Sequence, residues 1–563
     1  MANFAAPSCA MLLLNTYALL LLVGLAICYL LPSALRTYLM RKYTALVDVK
    51  HVGTPRQDGK KLPGTAVVCG GSIAGLYAAR ICSDHFERVV IIEPEPSTFS
   101  KDSRAQPNDV LRDVDVGDER KYKTVRHTRT RVMQYTAGHA YQVLSLLFFR
   151  KLFSRFDTRA KQWGMHIAAA DTNMRVAGVA IRPSYEDYYG SFPETLVASR
   201  RTLEPFIRSL VAEASPSIEF VAGTVSDFTL DYGGAVRSVR VRLNAGGTQD
   251  IDCALVADCT GVAQVGLKLL PRSIIRFPKN LREDYNPDVY ATALEFPLTP
   301  AVKERIRALP IDDGAGRPYD TERTRWFITH MPDPAVGVRV MSMSYGTGDS
   351  LLVICGAWGL HPLPVNLPML VDFTRGIVGT ELPEWYFKVL EVLKDVETDG
   401  VASEFRCTSC SCIHYERASA ILPRNFVALG DASMRVNPRF GEGVTKSAVG
   451  AITLDATLRS LPPSNASFGP RFFSSLHART GSIWLSSKTA DYARETTVPV
   501  EGETRDVGRF MRWYRTRLVR AAAKNPAVAS ALWHIGQFLA PAPLVFSPSI
   551  LLAVLRNTLC SSG

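Results

Sequence analysis

The stretch Gly64–Pro96, GTAVVCGGSIAGLYAARICSDHFERVVIIEPEP, decides the fold. Thr65–Cys69 is a short apolar run, as in a strand buried on both faces. Ile73–Phe86 has apolar residues at helical spacing, and Arg88–Glu93 is a second apolar run that ends in an acid. The order is strand, glycine turn, helix, strand. Gly70, Ser72 and Gly75 occupy the three glycine places of G-x-G-x-x-G, with Gly71 between the first two. The first glycine makes the tight turn, and the third lets helix pack on strand. The second lets backbone approach a pyrophosphate at the helix N-terminus. Ser72 departs at that second place, but it is small and can donate a hydrogen bond. Glu93 ends the second strand, where an acid can bind ribose hydroxyls.

A second stretch, Val427–Gly443, reads VALGDASMRVNPRFGEG. A strand delivers Gly430 and Asp431, and a proline and a glycine-rich turn then open a helix near Val444. Asp431 can accept from a ribityl hydroxyl. The Gly441–Gly443 turn lets backbone N–H groups come close to the carbonyl of a flat ring.

These two stretches resemble the single-component FAD-dependent monooxygenases, the class of p-hydroxybenzoate hydroxylase and squalene epoxidase. RVMQYTAGH at Arg131–His139 resembles the arginine segment before a helix over the flavin. ASRRTLEPFIR, with Arg200, resembles the class's R-x-x-L segment, and LVADCTG at Leu255–Gly261 resembles its Asp-x-Thr-Gly turn. The resemblance runs from about 64 to 460, patchily in the middle. It implies one FAD, with Glu93 on the adenosine ribose, Asp431 at the ribityl–pyrophosphate region, and Arg131 and Arg200 along the cofactor. It also implies NAD(P)H as a transient co-substrate, since no second glycine-rich nucleotide motif is visible. Val262 and Gln264 stand where Arg and Ser are expected, and Glu442 stands where Gln is common.

The expected fold is α/β: a Rossmann-like FAD-binding domain interrupted by a β-rich substrate domain. The expected division is an anchor at 1–35, a linker at 36–63, FAD-binding segments at 64–284 and 416–460, and a substrate domain at 285–415. A mainly helical C-terminal region follows at 461–563. Within this plan 97–128 reads as exposed loop, 131–165 as mostly helical, and 219–244 as antiparallel strands.

The chain has 563 residues and a net charge of +12. A basic balance fits nucleic acid, an anionic membrane or an anionic ligand. With no clustered Lys/Arg among aromatics of a nucleic-acid module, nucleic acid is excluded as a partner. The first 35 residues carry no charge, and Met11–Leu31 is one bilayer span long, followed by Arg36, Arg41 and Lys42. This predicts a single-pass anchor with the body in the cytoplasm, most simply at the endoplasmic reticulum; a cleaved signal is the alternative. Near the other end, a basic run from Arg505 to Lys524 precedes 525–555, which has no charged residue and is broken by Pro541, Pro543 and Pro548. It reads either as an interfacial membrane contact or as a lid packed on the protein.

The 11 cysteines have no framework spacing, which fits reduced thiols. CTSCSCIH at Cys407–His414 could suggest a metal, but no second Cys pair follows, so packing thiols and no metal site are expected. The function expected is oxygen insertion from O₂ into a lipophilic small molecule: a terpenoid, prenylated aromatic or polyketide type. Runners-up are a flavin reductase, dehydrogenase or halogenase on the same fold, or a membrane-tethered FAD-binding scaffold; the W-x-W-x-I-P segment of halogenases is absent. No side chain is singled out as catalytic. Tyr290, Trp326 and His361 are candidates in the middle domain, with Trp326 and Phe327 as wall residues.

Overall fold

The computed structural model describes residues 33–560, apart from 57, 116, 118, 119, 128, 133, 182, 184 and 334. The anchor expected at Met11–Leu31 lies outside the described residues. Among the described residues no helix is long and apolar enough to cross a membrane.

In chain order the elements that build the site begin with β1 (Leu62–Cys69), α1 (Ile73–His85) and β2 (Phe86–Glu93). Next come β3 (Val110–Asp115), β4 (Lys121–Arg126), α2 (Val143–Leu152), β5 (Met174–Val176), β6 (Val179–Ile181) and α3 (Arg200–Ala214). The meander β7 (Ile218–Leu230), β8 (Val236–Leu243) and β9 (Thr248–Asp252) leads to β10 (Leu255–Asp258). Then follow β11 (Val289–Pro297), β12 (Trp326–Met331), β13 (Arg339–Tyr345), β14 (Ser350–Trp358) and β15 (Val401–Cys407). The chain closes with β16 (Phe426–Ala428), α4 (Gly443–Ser460), α5 (Phe468–Asp491), α6 (Arg509–Ala522), α7 (Pro526–Gly536) and α8 (Pro548–Cys560).

Two sheets organise the molecule. The first has seven strands in the order β9-β8-β7-β2-β1-β10-β16. Its β7-β2-β1-β10-β16 part is parallel, and β7–β8–β9 is the antiparallel meander read from the alternating sequence. Val67, Val68, Val90, Ile91 and Val256 are fully buried, as continuous apolar strands covered on both faces must be. Each such side chain contributes roughly 1.5–3 kcal/mol. α1 and α4 pack together on this sheet, joined by a buried His85–Asp455 contact of 2.9 Å.

The second sheet has nine strands, β3-β4-β15-β11-β14-β13-β12-β5-β6. It corrects two expectations. Residues 97–128 are not all loop, because β3 and β4 form one edge of this sheet. The segment 64–284 does not build the first sheet alone, because it lends β3 to β6 to the second. β3 is exposed along nearly its whole length, as a paired edge strand can be, so its sequence shows no apolar alternation. β4 meets β15 at Lys123–Val401, a pairing of distant residues that no local pattern signals.

The C-terminal helices pack on the body. Trp533 of α7 donates its ring N–H to the Ala170 carbonyl at 2.9 Å, and Gln537 accepts from the Val143 amide at 3.0 Å. Tyr514 and Leu518 of α6 pack against Ile550 and Val554 of α8. The tail therefore forms a lid, one of its two expected readings. Its other side leaves Phe510, Trp513, Phe546, Leu551, Leu552, Leu555 and Leu559 exposed, up to 67% for Leu559.

Candidate active site

The glycine turn between β1 and α1 is sterically obligatory. Gly70 has φ of 105°, and a Cβ there would lie 2.4 Å from the Cys259 carbonyl oxygen. A Cβ on Gly75 would lie 1.8 Å from the Gly70 oxygen, so α1 can start this close to β1 only with glycine. Glu93 is buried and accepts from the Gly71 amide at 2.6 Å and the Glu95 amide at 3.1 Å. Each carboxylate oxygen keeps a second lone pair for a ribose hydroxyl.

Ser72 replaces backbone freedom with side-chain contacts. Its Oγ donates to Glu204 Oε2 at 3.1 Å and accepts from Arg200 Nη2 at 3.0 Å. The serine thus ties the turn to α3. Glu204, fully buried, touches Arg129 at 2.9 Å, Arg208 at 3.2 Å and Arg200 at 3.3 Å. Burial opposes its charge, but the three guanidinium groups prevail and hold the carboxyl at about 2. Arg129 also reaches Glu93 and Glu95.

Arg131 does not join this group. Its side chain is exposed, and only its backbone amide takes part, donating to Glu95 at 2.8 Å. The buried arginine of the segment is Arg129, two residues earlier. Glu204, Arg208 and Arg129 are the residues missed in the sequence. Arg200, Glu204 and Arg208 did carry a signal, the i, i+4 spacing that puts them on one helix face.

At the second turn, Asp431 accepts from Lys446 Nζ of α4 at 2.8 Å. Burial pushes Asp431 up, yet Lys446 outweighs it and leaves the carboxyl below its ordinary value. Gly441 has φ of 66°, and a Cβ there would come 2.9 Å from Ala140 Cβ. Gly443 has open space around its Cβ position and no such demand. Asp258, in the Asp-x-Thr-Gly turn, accepts from the Thr260 amide and hydroxyl and the Gly266 amide, which makes it a turn former. Gln264 turns inward to Ser411 and Arg282, and Val262 is exposed.

One cavity of about 490 Å³ joins these elements to the second sheet. Ser72, Arg200, Asp431, Gly441 and Gly443 are among its lining residues. Val289, Ala291, Trp326, Val340, Ile354 and Trp358 form an apolar floor, and Val519, Leu532 and Trp533 close it from the lid. Trp326 is a wall residue as expected. Phe327 is not, because it is buried in the core on the other side of the sheet. Tyr290 packs at a tilt against His361, ring centroids 4.9 Å apart, and neither lines the cavity.

Beneath the Asn437–Phe440 loop, fully buried Asp491 accepts from Tyr285 at 2.7 Å, Asn437 at 2.9 Å and Trp358 at 3.0 Å. The Trp358 ring lies between the guanidinium groups of Arg439 (4.3 Å) and Arg494 (4.2 Å). Among the cysteines, Cys407 and Cys410 are free thiols 3.9 Å apart, and Cys410 and Cys412 are buried. His414 turns away from them, held between Glu416 at 2.9 Å and Glu283 at 2.8 Å.

No family model matches the chain, and no curated protein matches it in sequence. Among solved structures, a triple mutant of the flavin-dependent brominase Bmp2 is similar with a TM-score of 0.50 and 11% identity. The match covers 88% of this chain and 98% of that one. PqsL, a probable FAD-dependent monooxygenase from Pseudomonas aeruginosa, aligns with a TM-score of 0.47 and 14% identity, over 77% of this chain and 95% of that one. The likeness to the brominase shows the fold: this chain has the fold of that flavin-dependent brominase.

Proposed function

We propose that the protein is an FAD-dependent monooxygenase that uses NAD(P)H and O₂ to hydroxylate or epoxidise a lipophilic small molecule. One observation carries this reading: a single cavity is lined both by residues of the Gly70–Gly75 and Gly441–Gly443 turns and by apolar residues of the second sheet and the C-terminal helices. The residues fit an FAD. The Gly70–Gly75 turn, with the N-terminus of α1, suits a pyrophosphate, and Glu93 suits a ribose. Arg200 and Asp431 would flank the middle of the cofactor, and the Gly441 turn would receive the ring. When bound, FAD supplies the redox chemistry: a hydride from NAD(P)H, then O₂, one oxygen going to the substrate and the other to water. The chain's own part is to orient the substrate over the ring on the Trp326–Ile354 floor and to exclude water with α7.

The same reading places the body at a membrane. The uncharged run Met11–Leu31 suits an anchor, and the exposed apolar side of α6 and α8 sits among Arg505, Arg509, Arg517 and Arg520, which suits an anionic bilayer surface. A terpenoid, prenylated aromatic or polyketide could then enter beside the lid. The test is purified protein loaded with FAD, screened for substrate-dependent NADPH oxidation and for ¹⁸O from ¹⁸O₂ in the product. NADPH oxidation with no ¹⁸O incorporation would move the assignment to a reductase. A halide-dependent product would move it to a halogenase. A folded protein that takes up no FAD would end the reading.

A further inference from the structure

Away from the cavity, three side chains bring metal-ligating atoms to one point. His414 follows the strand Cys410–Ile413, Glu416 stands on the short helix Tyr415–Ala418, and His477 belongs to α5. One ligand atom of each lies within 4.8 Å of the other two. His414 Nδ1 is 2.9 Å from Glu416 Oε1, and His477 Nδ1 is 3.4 Å from the same oxygen. The two imidazole rings have centroids 6.1 Å apart and are tilted by 58°. None of the three lines the cavity. His477 is distant from the other two in the chain, so no local spacing announces the cluster.

A tetrahedral zinc with bonds of about 2.0–2.1 Å holds its ligand atoms about 3.3–3.4 Å apart. The Glu416–His477 spacing already matches, and the His414–Glu416 contact need only widen slightly. The third pair closes by a turn of the His477 side chain, which is 46% exposed. His414 is fixed: it is buried, and its other ring nitrogen, Nε2, lies 2.8 Å from Glu283 Oε2. Glu283 is in turn held by Lys488. A carboxylate on the far nitrogen sets the tautomer, with the proton on Nε2 and the Nδ1 lone pair turned toward Glu416; metal-bound histidines regularly have this outer partner. In that tautomer Nδ1 and Glu416 Oε1 are two acceptors 2.9 Å apart, and something positive must lie between them, a proton or a metal ion. A proton needs only these two atoms. A metal needs a third, and His477 brings one to the same oxygen. Arg417 Nε lies 3.7 Å from Glu416 Oε1, but its side chain is 60% exposed and can turn to solvent. Two imidazoles and a carboxylate suit Zn²⁺, whereas Ca²⁺ and Mg²⁺ call for oxygen donors.

We propose that His414, Glu416 and His477 bind one Zn²⁺, with Glu283 as the outer partner of His414 and a water in the fourth position. The ion ties α5 to the strand Cys410–Ile413. That strand pairs with Arg282–Tyr285 on one side and with Met434–Arg435 on the other, just before the loop that leads to Gly441. The metal is therefore a brace behind the second turn. It takes no part in the chemistry of the cavity, and the site stands whether or not the protein is a monooxygenase.

The experiment uses the full-length protein, stripped with a chelator and then dialysed against Zn²⁺, with bound metal and melting temperature as the readouts. One Zn²⁺ per chain should be retained, and the melting temperature should rise with Zn²⁺ concentration. His477→Ala changes a half-exposed side chain, so it should melt like the parent without metal. It should lose more than about 100-fold in Zn²⁺ affinity, beyond the range for an outer partner, and lose the melting shift. Glu416→Gln should do the same. Glu283→Gln should weaken binding by about 10–100-fold. A protein that takes up no FAD yet binds Zn²⁺ in this way supports the site and counts only against the monooxygenase reading. No retained Zn²⁺, a melting temperature that Zn²⁺ does not raise, or binding that survives His477→Ala and Glu416→Gln unchanged each overturns the proposal.

Discussion

Beside the Gly70–Gly75 turn, one carboxylate, Glu204, touches three guanidinium groups; elsewhere on the cavity wall, Arg439 and Arg515 have no carboxylate within ion-pair distance among the described residues. Both places hold arginine, yet the pairing differs. The Glu204 group is closed on itself. It binds α3 to the turn through Ser72 and to β2 through Arg129, so its electrostatic energy goes into holding the shape of a phosphate-sized turn. Arg439 and Arg515 face the cavity without a direct ion pair among the described residues, Arg439 half-buried against Trp358 and Arg515 exposed.

The largest expected effect tests the Glu204 group. Glu204→Ala leaves three guanidinium groups without their shared anion and should cost about 3–5 kcal/mol, as breaking buried ion pairs does. Urea unfolding measures it, and a loss near zero would mean the group is not a structural unit. The pH dependence of the same residue follows. Its carboxyl lies at about 2 when folded, against an ordinary 4.5. The folded value is depressed, so its stabilisation is present above about pH 4.5 and is lost as pH falls toward about 2. Glu204→Gln should remove that part of the acid transition, which fluorescence-monitored unfolding from pH 5 downward would show.

A smaller effect belongs to Ser72. Ser72→Gly restores the second glycine place but deletes the contacts to Glu204 and Arg200, so it should cost about 1 kcal/mol of stability while FAD uptake persists. Ser72→Val should impair FAD uptake, because a branched side chain crowds the turn; equal flavin occupancy in all three proteins would detach the turn from the cofactor. The smallest effect is at Arg515. Arg515→Gln removes an exposed cation with no ion-pair partner among the described residues and should change stability by no more than about 0.5 kcal/mol. A large loss there would show that Arg515 is structural and would erase the contrast between the two groups.

The sequence by itself determined the parts whose physics is local. A glycine turn that admits no Cβ at Gly70 or Gly75, apolar strands on either side, an acid at Glu93, and the Gly430–Gly443 return are all set within a few residues, and each is where it was read. The alternation at 219–244 gave its meander for the same reason. What only the tertiary structure decided depends on partners far apart in the chain. Arg131 and Arg129 are equally charged and two residues apart; the buried side chain is the one that meets Glu204, and no spacing in 129–131 encodes that choice. β3 and β4 look like loop because an exposed edge strand needs no apolar face, and their place is fixed by β15. Trp326 and Phe327 are adjacent but point to opposite sides of one sheet. The 525–555 tail is apolar enough for either a lid or a bilayer. The Trp533 and Gln537 hydrogen bonds to residues near 143 and 170 put one face of it on the cavity. Hydrophobicity sets how much surface must be covered, but only the fold determines what covers it.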